Sequence, residues 1–518
     1  MHIRKVSFKL VLRMLGFLFF FVPTGIVAYG HVPAGPGLPA LQRDTTTINR
    51  VVDVGSTSRN FPNLVAYRNT SLQKAPAPVI AEVSEKELGR PEMTRCWLNL
   101  DEMWDYRTGK YDFNFKIGVD KYKDVKEKHR ETWDWEIEAP IKYYDYLKSF
   151  STRSDEIMLN IRRYERDILD GTLPMTMQDW KKVFKEGLKH YKMLYANIRY
   201  VELGNEYGHR FFMKATDEEY YQFYRLGYEA VNEVNQELGL VGKQKILIGG
   251  PVVTGSFIKS LTRFFELYQQ DPTVGKTLDF VSWHEYTIPA VETAFREKQI
   301  RNLLSKHGID DRLDLFVTEH NPYHYSEDKL EYHHQNAAGL VKTLYFSSLY
   351  SPNLKIMPWV LYHNSKLQTR FMWFDGPNDP ETTYDQIKIF PSGVSMKWLA
   401  MHQGKEILVD NLVDGTDLVI ASRQKDKVLV EAVNFGSSRP VILTLKNLKE
   451  NFGSEKISVK KYLLDKKHNN ALTDPKRTTK IDILETTTID LNTATEVVLR
   501  QEAVETDGIV LWEIEKTK

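Results

Sequence analysis

Two segments of this sequence end in carboxylates placed for chemistry. Ile198-Arg-Tyr-Val-Glu-Leu-Gly-Asn-Glu206 runs from a strand-like stretch through Gly204 into the pair Asn205-Glu206, and Leu313-Asp-Leu-Phe-Val-Thr-Glu319 ends in a second glutamate. Two carboxyl groups across one cleft suit cleavage of a glycosidic bond. One gives a proton to the leaving oxygen while the other, ionised, attacks the anomeric carbon or stabilises an oxocarbenium-like transition state. A single glutamate at a strand end is ordinarily solvated or salt-bridged, so the case rests on the pair and on what surrounds it.

Several residues are candidates for those surroundings. Arg95, His284 and Tyr286 can donate to Glu319 and keep it the anion. Glu206 is then, by exclusion, the acid with a raised pKa. Asn205 offers an amide donor for a sugar hydroxyl, and Trp359 an indole on which a sugar ring can stack. Trp97 and Trp104 are further candidates for the pocket wall. Arg162, Arg163, Arg166, Lys366 and Arg370 hold a sugar carboxylate or sulfate if they converge on the cleft, and are surface charges otherwise. Glu202 shares strand parity with Glu206 but lies deeper and reads as a buried ion-pair partner. Glu285 has the wrong parity, and His320 points toward the helical layer.

The elements that must position these groups alternate short β-branched runs with longer amphipathic segments, the pattern of repeated βα units around a parallel sheet. Eight strands are expected: Asn49–Gly55, Met93–Leu100, Glu156–Arg162, Ile198–Asn205, Lys245–Val252, Leu278–Tyr286, Leu313–Glu319 and Lys355–Tyr362. Eight such units predict an α/β fold, a (β/α)8 TIM barrel over 48–404, whose active site lies at the carboxyl ends of the strands. Thr216 with Glu219 forms a capping box, and Tyr220, Phe223, Tyr224, Gly227, Val231 and Val234 follow at helical spacing, so these tyrosines read as packing residues. After Gly404 only strands recur, which predicts a C-terminal all-β sandwich domain over 405–518.

The first residues are basic, His2 to Lys9. An apolar stretch follows from Met14 to Val27, and then the small residues of Ala28-Tyr29-Gly30. This predicts a signal peptide over 1–30 and hence a secreted or periplasmic protein without stable membrane insertion after cleavage. Residues 31–47, rich in Pro and Gly, read as a linker. The 518 residues carry 70 Lys+Arg against 69 Asp+Glu, a formal charge of +1, which gives no electrostatic basis for binding nucleic acid. With Cys96 the sole cysteine there is no intramolecular disulfide and no multi-cysteine metal site. No His-Glu-x-x-His or P-loop occurs, and His333-His334 are adjacent, so neither metal nor cofactor is expected.

The residues around both glutamates resemble those of clan A retaining glycoside hydrolases, whose acid/base follows an Asn on strand four and whose nucleophile ends strand seven. Over roughly 48–515 the order of elements is most similar to glycoside hydrolase family 39, the β-xylosidase and α-L-iduronidase family. The stretch Thr94-Arg95-Cys-Trp-Leu-Asn-Leu-Asp-Glu-Met-Trp-Asp-Tyr106, together with His284-Glu-Tyr286 and Thr318-Glu319, carries the likeness. It departs at Gly204-Asn-Glu-Tyr207, where family 39 usually has Trp-Asn-Glu-Pro. The resemblance implies Glu206 as acid/base, Glu319 as nucleophile, and Arg95, Asn205, His284 and Tyr286 around the sugar.

The expectation is therefore a secreted retaining O-glycosidase acting on oligosaccharides from plant or algal polysaccharide, of xyloside or uronide type, with an acidic or sulfated substrate within its range. The alternatives are an endo-acting polysaccharide hydrolase and a non-catalytic carbohydrate-binding barrel.

Overall fold

The structure is a computed structural model that describes residues 46–70, 77–113, 145–209, 212–254, 257–286, 290–322, 333–363, 369–377, 379–412, 415–453, 455–494 and 496–517. The expected signal peptide, nearly all of the expected linker, and Lys366 lie outside the described residues.

Eight parallel strands form one sheet in sequential order: Tyr67–Asn69, Met93–Asn99, Glu156–Arg162, Ile198–Leu203, Leu247–Val253, Phe280–Tyr286, Asp314–Asn321 and Leu354–Pro358. They are called the first to eighth barrel strands below. The Leu361 amide donates to the Asn69 carbonyl at 2.9 Å, which joins the continuation of the eighth strand to the first and closes the barrel. Most barrel strands are buried on both faces, as a sheet wrapped by helices requires. The helix Asp217–Glu237 starts at the expected capping box, with Thr216 and Glu219 each accepting from the other's backbone amide.

Side chains inside the barrel stack in layers set by the two-residue period of the strands. Met93, Met158, Tyr200, Phe280, Phe316 and Met357, one from each of six strands, form an apolar floor. Two residues further along, the interior turns polar with Arg95, Asn160, Glu202 and Ser282, all buried. One more step reaches the mouth.

The expected first barrel strand is corrected by the structure. Ile48–Asp53 pairs in parallel with Arg439–Lys446 of the β domain, and Thr57–Asn60 pairs with Lys405–Ile407 of that same domain. The reason is visible in burial: Ile48 and Val52 are fully buried while Val51 is 53 % exposed. That is the alternation of a strand with one wet face, which a barrel strand cannot have. The barrel begins instead at Tyr67, from a three-residue strand too short for periodicity to reveal.

The β domain is a sandwich of a seven-stranded and a three-stranded sheet. Val419, Val428, Val430 and Trp512 of the larger sheet pack with Ile48, Val441, Leu443 and Leu499 of the smaller one. Alternate residues of the larger sheet, Leu418, Ile420, Leu429 and Leu511, join the barrel's own core. The domain is thus fused to the barrel by a sheet that is apolar on both faces.

Candidate active site

Backbone irregularities at three strand ends aim the site residues. Plain alternation after Phe316 would point Thr318 inward and turn Glu319 out. A bulge resolves this: Trp283 pairs with Val317 but His284 with Glu319, so the seventh strand gains a residue and Glu319 faces the interior. A second register shift places Val253 of the fifth strand opposite Trp283, skipping Val252, which takes a φ of 55°. The Val252 carbonyl accepts the Glu206 amide at 2.9 Å. Gly204 has a φ of 79°, and a Cβ there would meet the Tyr220 ring at 3.1 Å, so the turn into Asn205-Glu206 requires glycine. Glu206 itself has a φ of 47°, a left-handed conformation that costs a non-glycine residue about 1 kcal/mol or more and that is typical of functional positions.

These devices bring the two glutamates together. One side-chain oxygen from each, with a His284 ring nitrogen, forms a set in which every atom lies within 4.8 Å of the others. His284 Nδ1 is 2.7 Å from Glu206 Oε1 and 3.4 Å from Glu319 Oε2. The Tyr286 hydroxyl donates to Glu319 Oε2 at 2.7 Å. Arg95 is buried completely and branches three ways: Nε donates to Glu202 Oε2 at 2.6 Å, Nη1 to Glu319 Oε1 at 2.9 Å, and Nη2 to Asn205 Oδ1 at 3.1 Å. Because the Asn205 oxygen is taken by Arg95, its amide nitrogen is the donor left over, and that nitrogen is buried with no partner. Trp359 lies against Trp97 with ring centroids 5.7 Å apart, and the two indoles make one wall.

Every expected site residue, Glu206, Glu319, Arg95, Asn205, His284, Tyr286 and Trp359, thus lies in one contiguous cluster at the mouth of the barrel. Glu202 is the buried ion-pair partner its depth suggested. Glu285 is turned away from the pair, toward Trp283 and Arg296, and burial pushes its carboxyl up to about 7. His320 is buried outside the cleft with Nδ1 on the Glu285 carbonyl. Arg166 is a surface residue paired with Asp170, whereas Arg162 is drawn into the mouth of the barrel.

The electrostatics correct one expectation. Glu206 is not the carboxyl with a raised pKa. Burial does push it up, but the His284 hydrogen bond and charge outweigh burial and hold it below the ordinary carboxylate value. Sequence reasoning had placed His284 beside Glu319 alone. It also missed Asn69 and Asn160: Asn69 donates to the Thr318 carbonyl under the nucleophile candidate and accepts from Arg95, and Asn160 donates to Glu202 Oε2 at 2.8 Å. Asn160 was readable from strand parity. Asn69 was hidden because the strand that carries it was not recognised.

Chemically, the cluster offers two carboxylates with one oxygen of each within 4.8 Å of the other, close enough for double displacement at an acetal carbon, where the groups stand about 5 Å apart. The same three side chains, Glu206, His284 and Glu319, are also a donor set able to hold a cation.

No family model matches the chain, and no curated protein matches its sequence. Solved structures do match. A family 39 β-xylosidase from Caulobacter crescentus superposes with a TM-score of 0.60 at 16% identity over 90% of this chain and 99% of that one. A glucosidase from Croceicoccus marinus gives 0.59 at 14% identity over 91% and 100%. A bacterial orthologue of human α-L-iduronidase gives 0.61 at 12% identity over 92% and 84%. The chain therefore shares the barrel-plus-β-domain fold of these enzymes.

Proposed function

We propose that this chain is a retaining O-glycosidase with Glu319 as nucleophile and Glu206 as acid/base. The observation that carries the reading is the separation of the two carboxylates, with one oxygen of each inside 4.8 Å. Inverting enzymes need roughly 6.5–9.5 Å to fit a water between the groups. A Glu319 oxygen attacks the anomeric carbon while the bond to the leaving oxygen breaks and that oxygen takes the Glu206 proton. Glu206, now a carboxylate, removes a proton from water as the water attacks the same carbon, and the ester to Glu319 breaks. Arg95 and Tyr286 hold the attacking carboxylate in place, and the free Asn205 amide is set to donate to a sugar hydroxyl, a contact that strengthens as charge develops.

The glycosidase reading is supported by the fold shared with a β-xylosidase and with an orthologue of α-L-iduronidase. We assign it substrates of xyloside or uronide type from plant or algal polysaccharide. The basic, apolar and small-residue order of the first 30 residues supports export, with action outside the cytoplasm. Among the described residues no helix is long and apolar enough to cross a membrane.

The test is a panel of aryl xylosides, arabinosides, glucuronides and iduronides, followed by proton NMR of the first product formed from any substrate that is cleaved. Retention of anomeric configuration supports the proposal, and initial inversion rejects it. The sizes of early products from oligosaccharides distinguish exo from endo action.

A further inference from the structure

Arg162 is the last residue of the third barrel strand and is only 4 % exposed. Strand parity sets its direction. Met158 lies in the apolar floor, Asn160 points inward to Glu202, and Arg162, two residues on, reaches the interior at the mouth of the barrel. Its guanidinium lies 4.2 Å from the centre of the Trp97 ring, and Trp97 lies against Trp359 in the same wall. On another side stands Phe212, from the loop that follows Glu206, at 5.1 Å.

Aromatic faces hold this cation, and no carboxylate among the described residues pairs with it directly. Its Nη1 is enclosed and has no hydrogen-bond partner. Three acids stand near it, Asp101, Glu102 and Glu165; burial pushes the carboxyls of Glu102 and Glu165 up to about 8, and none of the three is hydrogen-bonded to the guanidinium. A buried charge without a partner is costly, and an anionic group on a ligand would offset that cost. Arg95 is the internal contrast, with hydrogen bonds from Nε, Nη1 and Nη2 to groups of the protein.

We infer that Arg162 anchors an anion-binding subsite beside the Trp97–Trp359 wall and takes a carboxylate or sulfate carried by the saccharide. The inference rests on the glycosidase reading for the identity of the ligand as a sugar, but binding tests it without turnover. Guanidinium pairs two of its N–H groups with two oxygens of either anion, whereas an ammonium cannot.

The experiment is calorimetric titration of the full chain with methyl xyloside, methyl glucuronide, methyl iduronide and a sulfated methyl xyloside. The expected result is that at least one anionic probe binds 10-fold or more tighter than the neutral one. Arg162→Met abolishes that preference while leaving the neutral affinity within about 3-fold, and Arg162→Lys retains part of it. Preference for the uronides alone identifies a carboxylate site, and preference for the sulfated probe alone a sulfate site. Equal affinity for charged and neutral probes, or a preference that survives Arg162→Met, overturns the inference. If Arg162→Met does not fold, the Lys variant decides: an unchanged ratio of anionic to neutral affinity overturns it. A merely structural Arg162 that props Trp97 would lower all affinities together. Failure of the panel to be hydrolysed would count against the glycosidase reading alone.

Discussion

His284 Nδ1 lies 2.7 Å from Glu206 Oε1, so the proposed acid/base is tied to an imidazole. The consequence is a definite pH dependence. Glycosylation needs Glu206 protonated, and its pKa is held below the ordinary carboxylate value, so kcat/KM should fall as pH rises through that lowered value. His284→Gln removes the charge and weakens the hydrogen bond while leaving the burial, which acts in the opposite direction. The alkaline limb of kcat/KM should then move up by roughly one pH unit or more. An unmoved limb in that variant would show that His284 does not set the Glu206 proton affinity.

The two glutamates should fail in different ways. Glu206→Ala is expected to lose about 10²–10⁴-fold in kcat/KM on substrates with poor leaving groups and much less on aryl glycosides that need no acid. Glu319→Ala should lose activity on both, and added azide should restore turnover as a glycosyl azide of inverted configuration. Product analysis by NMR checks the outcome, and a retained azide from Glu319→Ala would mean the roles are exchanged.

Arg95 is a stability determinant as well as a site residue. It is buried with Glu202 and Glu319, both of which it contacts. Arg95→Met leaves two buried carboxylates without their cation, a change that costs about 3–5 kcal/mol. A fall in Tm is expected, with part of it recovered in Arg95→Met combined with Glu202→Gln. Urea denaturation of the single and double variants measures this, and additive losses would contradict it.

The backbone at Glu206 predicts a trade between activity and stability. Its left-handed φ of 47° suits glycine or asparagine better, and its carboxylate crowds that of Glu319. Glu206→Asn should therefore melt no lower than the parent, and up to about 1 kcal/mol more stable, while being nearly inactive. Marked destabilisation would show that the His284 contact outweighs the strain.

The donor set of Glu206, His284 and Glu319 predicts inhibition by a cation such as Zn²⁺, which imidazole and carboxylates bind well. Competition between Zn²⁺ and saccharide, with activity unaltered by chelator, is the expected pattern. Activity lost to a chelator and restored by a metal would require a different mechanism.

Much of this arrangement was legible in the sequence because strong local signals coincide with the site. The Asn205-Glu206 and Thr318-Glu319 strand ends, the capping box at Thr216 and the switch to strands after Gly404 are read from short stretches. What was hidden depends on contacts remote in sequence. Ile48–Asp53 reads as a β-branched run like any barrel strand, and only its pairing with residues almost 400 positions away assigns it to the sandwich. Asn69 follows from a three-residue strand that carries too little periodicity to be detected. The bulge that turns Glu319 inward leaves no mark in the residue pattern. Alternation alone would have assigned that position to Thr318, and the neighbouring register with His284 decides it.

The central claim is that Glu319 forms a covalent bond to the anomeric carbon. The most direct measurement is incubation with an activated 2-deoxy-2-fluoro glycoside of whichever sugar is cleaved, followed by intact-mass analysis and peptide mapping. A single added glycosyl group on the peptide containing Glu319, formed as activity is lost, is the predicted result. Labelling of another residue, or turnover that proceeds through inversion with no adduct, would contradict the account.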